Sequence, residues 1–326
     1  MDLIKKIRIG TVELKNNLAL APMAGITNAA FRALCIEGGA GLVVSEMVSA
    51  ESIRYGNKKS LKLLKIYPSE HPIAMQLFGA DPESMARAAA LAQELGADIV
   101  DINAGCPVKK VLRSGSGAAL MKEPAILESI VKRAVKAVKI PVTVKIRCGL
   151  TAGEVISPRL ARVIEGAGAS AITLHGRAAA DHHTGPVNYE AMAATAAAVK
   201  IPVFGNGGVR GPADAEKILA AGCAGAAIGR AAVEDPSVFF EIAEALIGRG
   251  TAAAPDPARR IKLFIRFLEL NTELHEGGEG VVRARKLVGY WLKGFPNSSA
   301  LRGAFMKVSG LNEAKALLLQ YIEQNI

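Results

Sequence analysis

Cysteine is scarce in this chain of 326 residues. Its four thiols, Cys35, Cys106, Cys148 and Cys223, lie 71, 42 and 75 residues apart. There is no Cys-x-x-Cys pair and no Cys/His set at zinc spacing. A disulfide scaffold and a metal site are therefore not expected, and reduced thiols in a cytoplasmic protein are. No stretch reaches the ~18 uninterrupted apolar residues of a membrane span. The first residues, Met1-Asp2-Leu3-Ile4-Lys5-Lys6, carry an early acid and no apolar segment, so they do not read as a signal peptide. A Gly-x-Gly-x-x-Gly fingerprint opening a βαβ unit is missing too, which argues against a Rossmann dinucleotide site. Aromatics make up only 5% and charged residues 21%, yet half of the residues are hydrophobic. That is enough for a large core and too much for a disordered chain. Acids are outnumbered, leaving a net charge of +10, and such a field attracts polyanions, nucleic acid first among them.

What is present is a repeated unit. Short aliphatic runs alternate with helical stretches: Leu18-Ala19-Leu20-Ala21, Leu42-Val43-Val44, Ile73-Ala74-Met75-Gln76-Leu77, Ile99-Val100-Asp101-Ile102, Val142-Thr143-Val144-Lys145-Ile146, Ala171-Ile172-Thr173-Leu174, Val203-Phe204 and Ala226-Ala227-Ile228. Even-numbered runs follow a glycine turn (Gly39, Gly96, Gly168, Gly222), as expected where a left-handed residue ends a helix. Runs three, five and seven follow Pro72, Pro141 and Pro202, which suit a strand's first position. Eight buried strands, each followed by a helix, predict an α/β fold of the TIM (β/α)8 barrel type over residues 1–250. A doubly wound open sheet would not need so regular a count.

Polar residues gather where these strands end, and in such a barrel those ends meet on one face. Gln76, Asn103, Lys145, Arg147, His175-Gly176-Arg177, Asn206-Gly207-Gly208 and Gly229-Arg230 all stand there. The glycine-bearing ends of strands seven and eight suit a phosphate held on backbone amides, with Arg230 adding a charged contact. A lysine and a glutamine on the wall suit the ring of a flavin, which points to FMN. A sugar-phosphate lyase or isomerase is the rival reading of the same geometry.

Strand four runs into Asn103-Ala104-Gly105-Cys106-Pro107, then a basic, glycine-rich loop with Lys109, Lys110 and Arg113 placed to grip a phosphate backbone. Cys35 and Cys223 fit buried positions on helices, whereas Cys106 stands among glycines and charges. A thiol suits a proton donor at neutral pH; neighbouring lysines would favour a nucleophilic thiolate instead. Beyond the small-residue, proline-marked linker at residues 251–257, helical periodicity at 261–274, 280–293 and 313–322 predicts an all-α domain over 256–326. From Asp256 onward eleven Lys and Arg face seven Asp and Glu, with Arg283, Arg285, Lys286 and Lys293 clustered around Tyr290-Trp291. This predicts an RNA-facing helix.

On these residues the chain resembles the tRNA-dihydrouridine synthases, most of all the bacterial B-type branch. The stretches that carry the resemblance are Leu20-Ala21-Pro22-Met23-Ala24-Gly25-Ile26-Thr27, Gln76-Leu77-Phe78-Gly79, Asp101-Ile102-Asn103-Ala104-Gly105-Cys106-Pro107, Val144-Lys145-Ile146-Arg147, His175-Gly176-Arg177, Gly205-Asn206-Gly207-Gly208 and Ile228-Gly229-Arg230. Arg283 to Lys286, Gly289-Tyr290 and Lys293-Gly294 extend it through the C-terminal region. The resemblance implies that Pro22, Met23 and Ala24 line one side of FMN, and that Gln76, Lys145 and His175 contact its ring or ribityl chain. Asn206, Gly207, Gly208, Gly229 and Arg230 would hold its tail and phosphate. NADPH, or NADH, would reduce the flavin, hydride would pass to C6 of a tRNA uracil, and Cys106 would protonate C5. Asn103, Lys109, Lys110, Arg113, Arg177, Arg283, Arg285 and Lys286 would meet the tRNA, and the protein would act as a monomer without a metal. Two positions depart from the family pattern. Asn28 stands where the family has Asp, and residues 178–183 replace a Thr-x-Arg-like continuation, leaving the missing arginine's contact to Arg177 or to His182 and His183. The competing functions are an FMN barrel dehydrogenase for a small pyrimidine-like metabolite, which needs no basic appendage, and a catalytically dead RNA-binding barrel, which would not keep Cys106 and Lys145.

Overall fold

The computed structural model describes residues 3–182, 184–248, 256–275 and 279–326. Most of the expected linker, and His183, lie outside the described residues. Eight parallel strands form the barrel: β1 (Leu18–Leu20), β2 (Val43–Val44), β3 (Ile73–Phe78), β4 (Ile99–Asn103), β5 (Val142–Arg147), β6 (Ala171–His175), β7 (Val203–Asn206) and β8 (Gly225–Ile228). Their lateral order is β1-β8-β7-β6-β5-β4-β3-β2. The ring closes between β2 and β1, where Leu20 N donates to Leu42 O and Gly41 N to Leu18 O, both at 2.8 Å. The TIM barrel reading is borne out, and the helix-ending glycines are indeed left-handed: φ is +103° at Gly39, +94° at Gly96, +97° at Gly168 and +87° at Gly222. Several strands reach one or two residues further than their apolar runs. Asn103, His175 and Asn206 still sit in the ladder, so polarity marks the site and not the strand's end.

A hairpin that the apolar runs did not announce, Ile7–Ile9 against Val12–Leu14, precedes the barrel. Its Ile9 and Leu14 are fully buried against Ala19, Ala74, Ile99, Ala171, Phe204 and Ala227, the inner layer of the barrel, and so plug its floor. The alternation of Ile7, Ile9, Val12 and Leu14 about Gly10 is the signal that would have found it.

Five of the fifteen aromatics meet at one place. Phe31, on the helix Ala29–Glu37 after β1, meets Phe267 edge to face at 6.3 Å; Phe267 and Phe264 stack with Trp291, and Phe264 also touches Phe305. These rings join the long helix Pro257–Leu274, and through it the helices Val288–Trp291, Ser298–Phe305 and Leu311–Asn325, to the barrel's first helix. The run 280–293 is not one helix but three short turns, and Trp291 is fully buried in this aromatic seam instead of facing a nucleic acid. Polar ties flank the seam. Asn28 caps the first barrel helix by accepting from Phe31 N, while its Nδ2 donates to Asn271 Oδ1 at 2.8 Å on the long helix. A neutral amide suits Asn28 because it must offer an acceptor to its own helix and a donor to the other domain.

Candidate active site

Side chains along each barrel strand alternate between the surrounding helices and the lumen. Two steps beyond the inner apolar layer, the inward positions become polar. Asp101 and Thr143 stand over a narrow cavity of about 20 Å³, together with Lys145 and Thr173. Asp101 is the hub. Gln76 Nε2 donates to its Oδ2 and Thr143 Oγ1 to its Oδ1, both at 2.7 Å. With its amide nitrogen so engaged, Gln76 presents its oxygen to Asn103 Nδ2 at 2.9 Å. Asn103 Oδ1 in turn accepts from Gly105 N at 3.2 Å and Cys106 N at 2.9 Å. One buried carboxylate thus sets the orientation of two amides and, through them, the start of the Cys106 segment. Burial raises the Asp101 pKa against the pull of Gln76, Thr143 and Lys145.

Lys145 is partly open at the mouth yet surrounded by protein, and its Nζ donates to Asn206 Oδ1 at 3.2 Å. Burial, helped by the neighbouring Arg147 charge and opposed by Asp101, brings its pKa down to about 8. Arg147 is buried and braces the site. Its Nε donates to Gly105 O at 2.9 Å, and its Nη1 to the carbonyls of Ala178 and His182 at 2.8 Å. It therefore ties the Cys106 segment to the loop after β6. Cys106 O accepts from Ala118 N at 3.0 Å, which closes the segment on its far side.

At the other side of the mouth, Gly207 and Gly208 adopt φ of +122° and +74°. A Cβ on Gly207 would stand 2.9 Å from His175 Cδ2 and 3.3 Å from Arg177 Nη1, and one on Gly208 2.9 Å from Val187. No side chain fits there, and the backbone stays bare between Arg177 and the mouth. Arg177 is only 9% exposed, with its Nε donating to Gly185 O at 2.8 Å. Burial and the positive Arg230 nearby both lower its pKa. Two guanidinium groups beside a glycine pair form a place for a phosphate-like anion. Met23 lies next to Gly229 (Sδ 3.7 Å from where its Cβ would be), which completes the ring of strand ends.

Comparison with known proteins matches this frame to one family. The model of the dihydrouridine synthase (Dus) family covers residues 19–326. The chain belongs to the dihydrouridine synthase family. It is 40% identical over 322 residues to tRNA-dihydrouridine synthase B of Pseudomonas aeruginosa, spanning 98% of this chain and 96% of that one. It is 37% identical over 300 residues to a probable tRNA-dihydrouridine synthase of Rickettsia conorii, with 91% of each chain covered. Among solved structures, NCR from Zymomonas mobilis aligns with a TM-score of 0.55 at 19% identity, over 74% of this chain and 92% of that one. A morphinone reductase variant aligns at 0.57 and 14% identity, over 79% and 93% respectively. These two structures share the barrel fold.

Within this synthase the expected site residues divide into groups. Gln76, Lys145, His175, Asn206, Gly207, Gly208, Gly229 and Arg230 come together around the mouth with Pro22, Met23 and Ala24. Lys109, Lys110 and Arg113 are exposed on a short helix, Lys109–Arg113, followed by a 3₁₀ turn at Gly117–Lys122 in place of an open loop. Asn103 and Arg177 lie within the mouth and not on its outer surface. Both are buried, Asn103 within the Gln76–Cys106 relay and Arg177 against the glycine pair. Arg285 donates to Val308 O at 3.0 Å and braces its own domain, while Arg283 pairs with Glu279 at 2.7 Å. Lys286 is exposed, with its Nζ 3.8 Å from where a Cβ on Gly25 would stand, and so reaches the mouth. Asp101, Thr143 and Arg147 had no role assigned from sequence. Their signal was a charge or hydroxyl inside an otherwise apolar, fully buried strand.

Proposed function

We propose that this family member reduces a uridine of tRNA to 5,6-dihydrouridine, using FMN in the barrel mouth, NADPH or NADH as electron donor and Cys106 as proton donor. The observation that carries this reading is the relay Asp101–Gln76–Asn103–Cys106, which fixes a cysteine at the rim of the same mouth that holds Lys145 and the Gly207–Gly208 anion site. The residues fit an FMN group. An ammonium has three donors, and among the described residues Lys145 uses one, on Asn206. The bare glycine backbone with Arg177 and Arg230 matches a phosphomonoester, which moves Arg177 from the tRNA to the cofactor.

When bound, the flavin supplies a hydride to C6 of the uracil. Cys106 holds the proton for C5 on a segment pinned by Asn103, Ala118 and Arg147. Lys145 offers donors to the electron-rich ring edge of the cofactor. The base must leave its stack to enter the mouth, and Lys109, Lys110, Arg113 and Lys286 stand outside to hold the backbone around it. In this reading residues 1–250 are the catalytic domain and 256–326 the tRNA-binding domain of a cytoplasmic monomer. No helix among the described residues is long and apolar enough to cross a membrane.

The test is incubation of purified protein with NADPH and an unmodified tRNA transcript, followed by mass spectrometry of the nucleosides. Dihydrouridine at a single position is expected. Reduction of free uracil or a related small pyrimidine, with tRNA left unchanged, would favour the metabolite dehydrogenase instead.

Lys145 offers the flavin a charged donor only while protonated, and its ligand-free pKa is about 8. FMN affinity is therefore expected to be level below that pH and to fall as pH rises through it. Lys145→Met should bind more weakly by ~1.5–3 kcal/mol, the worth of a charged hydrogen bond, and lose that pH dependence. Fluorescence titration of the apoprotein checks both, and an unchanged profile in Lys145→Met would remove Lys145 from the site.

A further inference from the structure

The connection between β2 and β3 holds a charge pattern that neither the barrel nor the mouth explains. From Ser52 to Ser69 there is no acid, while Arg54, Lys58, Lys59, Lys62 and Lys65 supply five cations. All five are exposed, and among the described residues Lys58, Lys59, Lys62 and Lys65 have no carboxylate partner. Several exposed helices elsewhere pair cations with a carboxylate, as Lys132 does with Glu128, Arg87 with Glu83 and Lys217 with Asp214. A solvated face needs no such uncompensated cluster, because like charges on one short helix repel. Tyr55 stands 77% exposed beside it, with the Arg54 guanidinium 5.6 Å above its ring.

The segment is fixed next to the mouth. The buried Arg32 guanidinium donates at once to Thr27 O at 2.7 Å, on the loop after β1, and to Lys65 O at 2.9 Å. Tyr67 Oη donates to Leu270 O at 3.0 Å, which seats the segment against the long C-terminal helix. The cations of both domains then act on one point. The pKa of His275 is lowered first by burial and then by Arg283, Lys286 and Lys65 among its neighbours. Lys286 itself reaches Gly25.

We propose that residues 54–65 form a second contact surface for the RNA phosphate backbone, continuous through Lys65 and Lys286 with the barrel mouth, with Tyr55 as a stacking platform for an unpaired base. This rests on the tRNA reading above. Exposed cations running from the end of the helix Ala50–Arg54, along the helix Lys58–Lys62, to Lys65 match a repeating polyanion, and the aromatic ring among them matches nucleobases.

The experiment measures tRNA affinity against salt for the wild type, for Lys58→Gln/Lys59→Gln/Lys62→Gln, for Tyr55→Ala, and for a control, Lys132→Gln/Lys136→Gln, on the outer helix Pro124–Ala137. Melting temperature and flavin content report folding. Each lost phosphate contact removes ~0.7 from the slope of log affinity against log salt, so the triple variant should lose about two. Tyr55→Ala should bind about tenfold more weakly with the slope unchanged. Bound tRNA should also protect Lys58, Lys59 and Lys62 of the wild type from acetylation, but not Lys132. A wild type that does not bind tRNA overturns the tRNA reading itself. Salt-dependent wild-type binding with no change in the triple variant, or an equal change in the control, overturns this inference alone.

Discussion

Cys106→Ala is expected to fold, bind FMN and be bleached by NADPH like the parent, while dihydrouridine formation falls by ~10²–10⁴, the usual contribution of a positioned acid. Folding is spared because the segment is held through its backbone: Cys106 N by Asn103, Cys106 O by Ala118, and Gly105 O by Arg147. None of these contacts uses the thiol. Cys35 and Cys223 serve as internal controls. Burial pushes the Cys35 thiol well up and that of Cys223 up to about 12, so both stay protonated packing groups. Their alanine variants should keep full turnover. Anaerobic stopped-flow absorbance, first with NADPH and then with tRNA, separates the two half-reactions. Normal oxidation of the reduced protein by tRNA in Cys106→Ala would assign the proton to another group, with His175 the first to examine.

The largest stability effect is expected at Arg32→Met. Arg32 and Glu70 form a fully buried pair, with Nε to Oε2 at 2.5 Å. Arg32 also satisfies the carbonyls of Thr27 and Lys65. Removing one partner of a buried pair leaves an uncompensated charge and costs ~3–5 kcal/mol. The cost depends on pH. Burial already raises the Glu70 pKa above its ordinary 4.5, and the Arg32 charge that pulls it back down would be gone. A carboxyl whose folded pKa is raised costs nothing while both states are protonated, and its penalty grows as pH rises through the folded value. Urea denaturation should therefore show a deficit that is larger at pH 8 than at pH 5. Arg32→Met/Glu70→Gln should recover part of it. An equal loss at both pH values would mean that the lost carbonyl contacts, and not Glu70, carry the effect. Because Thr27 anchors the loop after β1, a lower flavin content is expected as well.

The barrel was legible because its punctuation is local. A left-handed glycine closes every second helix, a proline opens strands three, five and seven, and each requirement is written at one position. The candidate site was legible as a set of strand ends, and Gln76, Lys145, His175 and Asn206 do stand on the inward parity. Residues that act through others were harder to read. Asp101 and Arg147 show only that something polar is buried; which amides and carbonyls they hold depends on strands and loops far apart in the sequence. Outward-facing charge was the least legible. Arg283, Arg285 and Lys286 are neighbours in the chain, but one pairs with Glu279, one braces Val308, and only Lys286 reaches the mouth. The burial of Trp291 is hidden for the same reason: its neighbours are charged, yet its own face of the helix meets Phe264 and Phe267. Arg32, a cation in the apolar helix Ala29–Glu37, shows how a buried charge can be visible in sequence while its partner, 38 residues on, is not.

Uridine reduction with Cys106 as proton donor is tested most directly by the nucleoside composition of tRNA from cells that lack this gene, complemented with the wild type or with Cys106→Ala. Dihydrouridine at one tRNA position should disappear on deletion, return with the wild-type gene and fail to return with Cys106→Ala. An unchanged dihydrouridine content after deletion, or full restoration by Cys106→Ala, would contradict it.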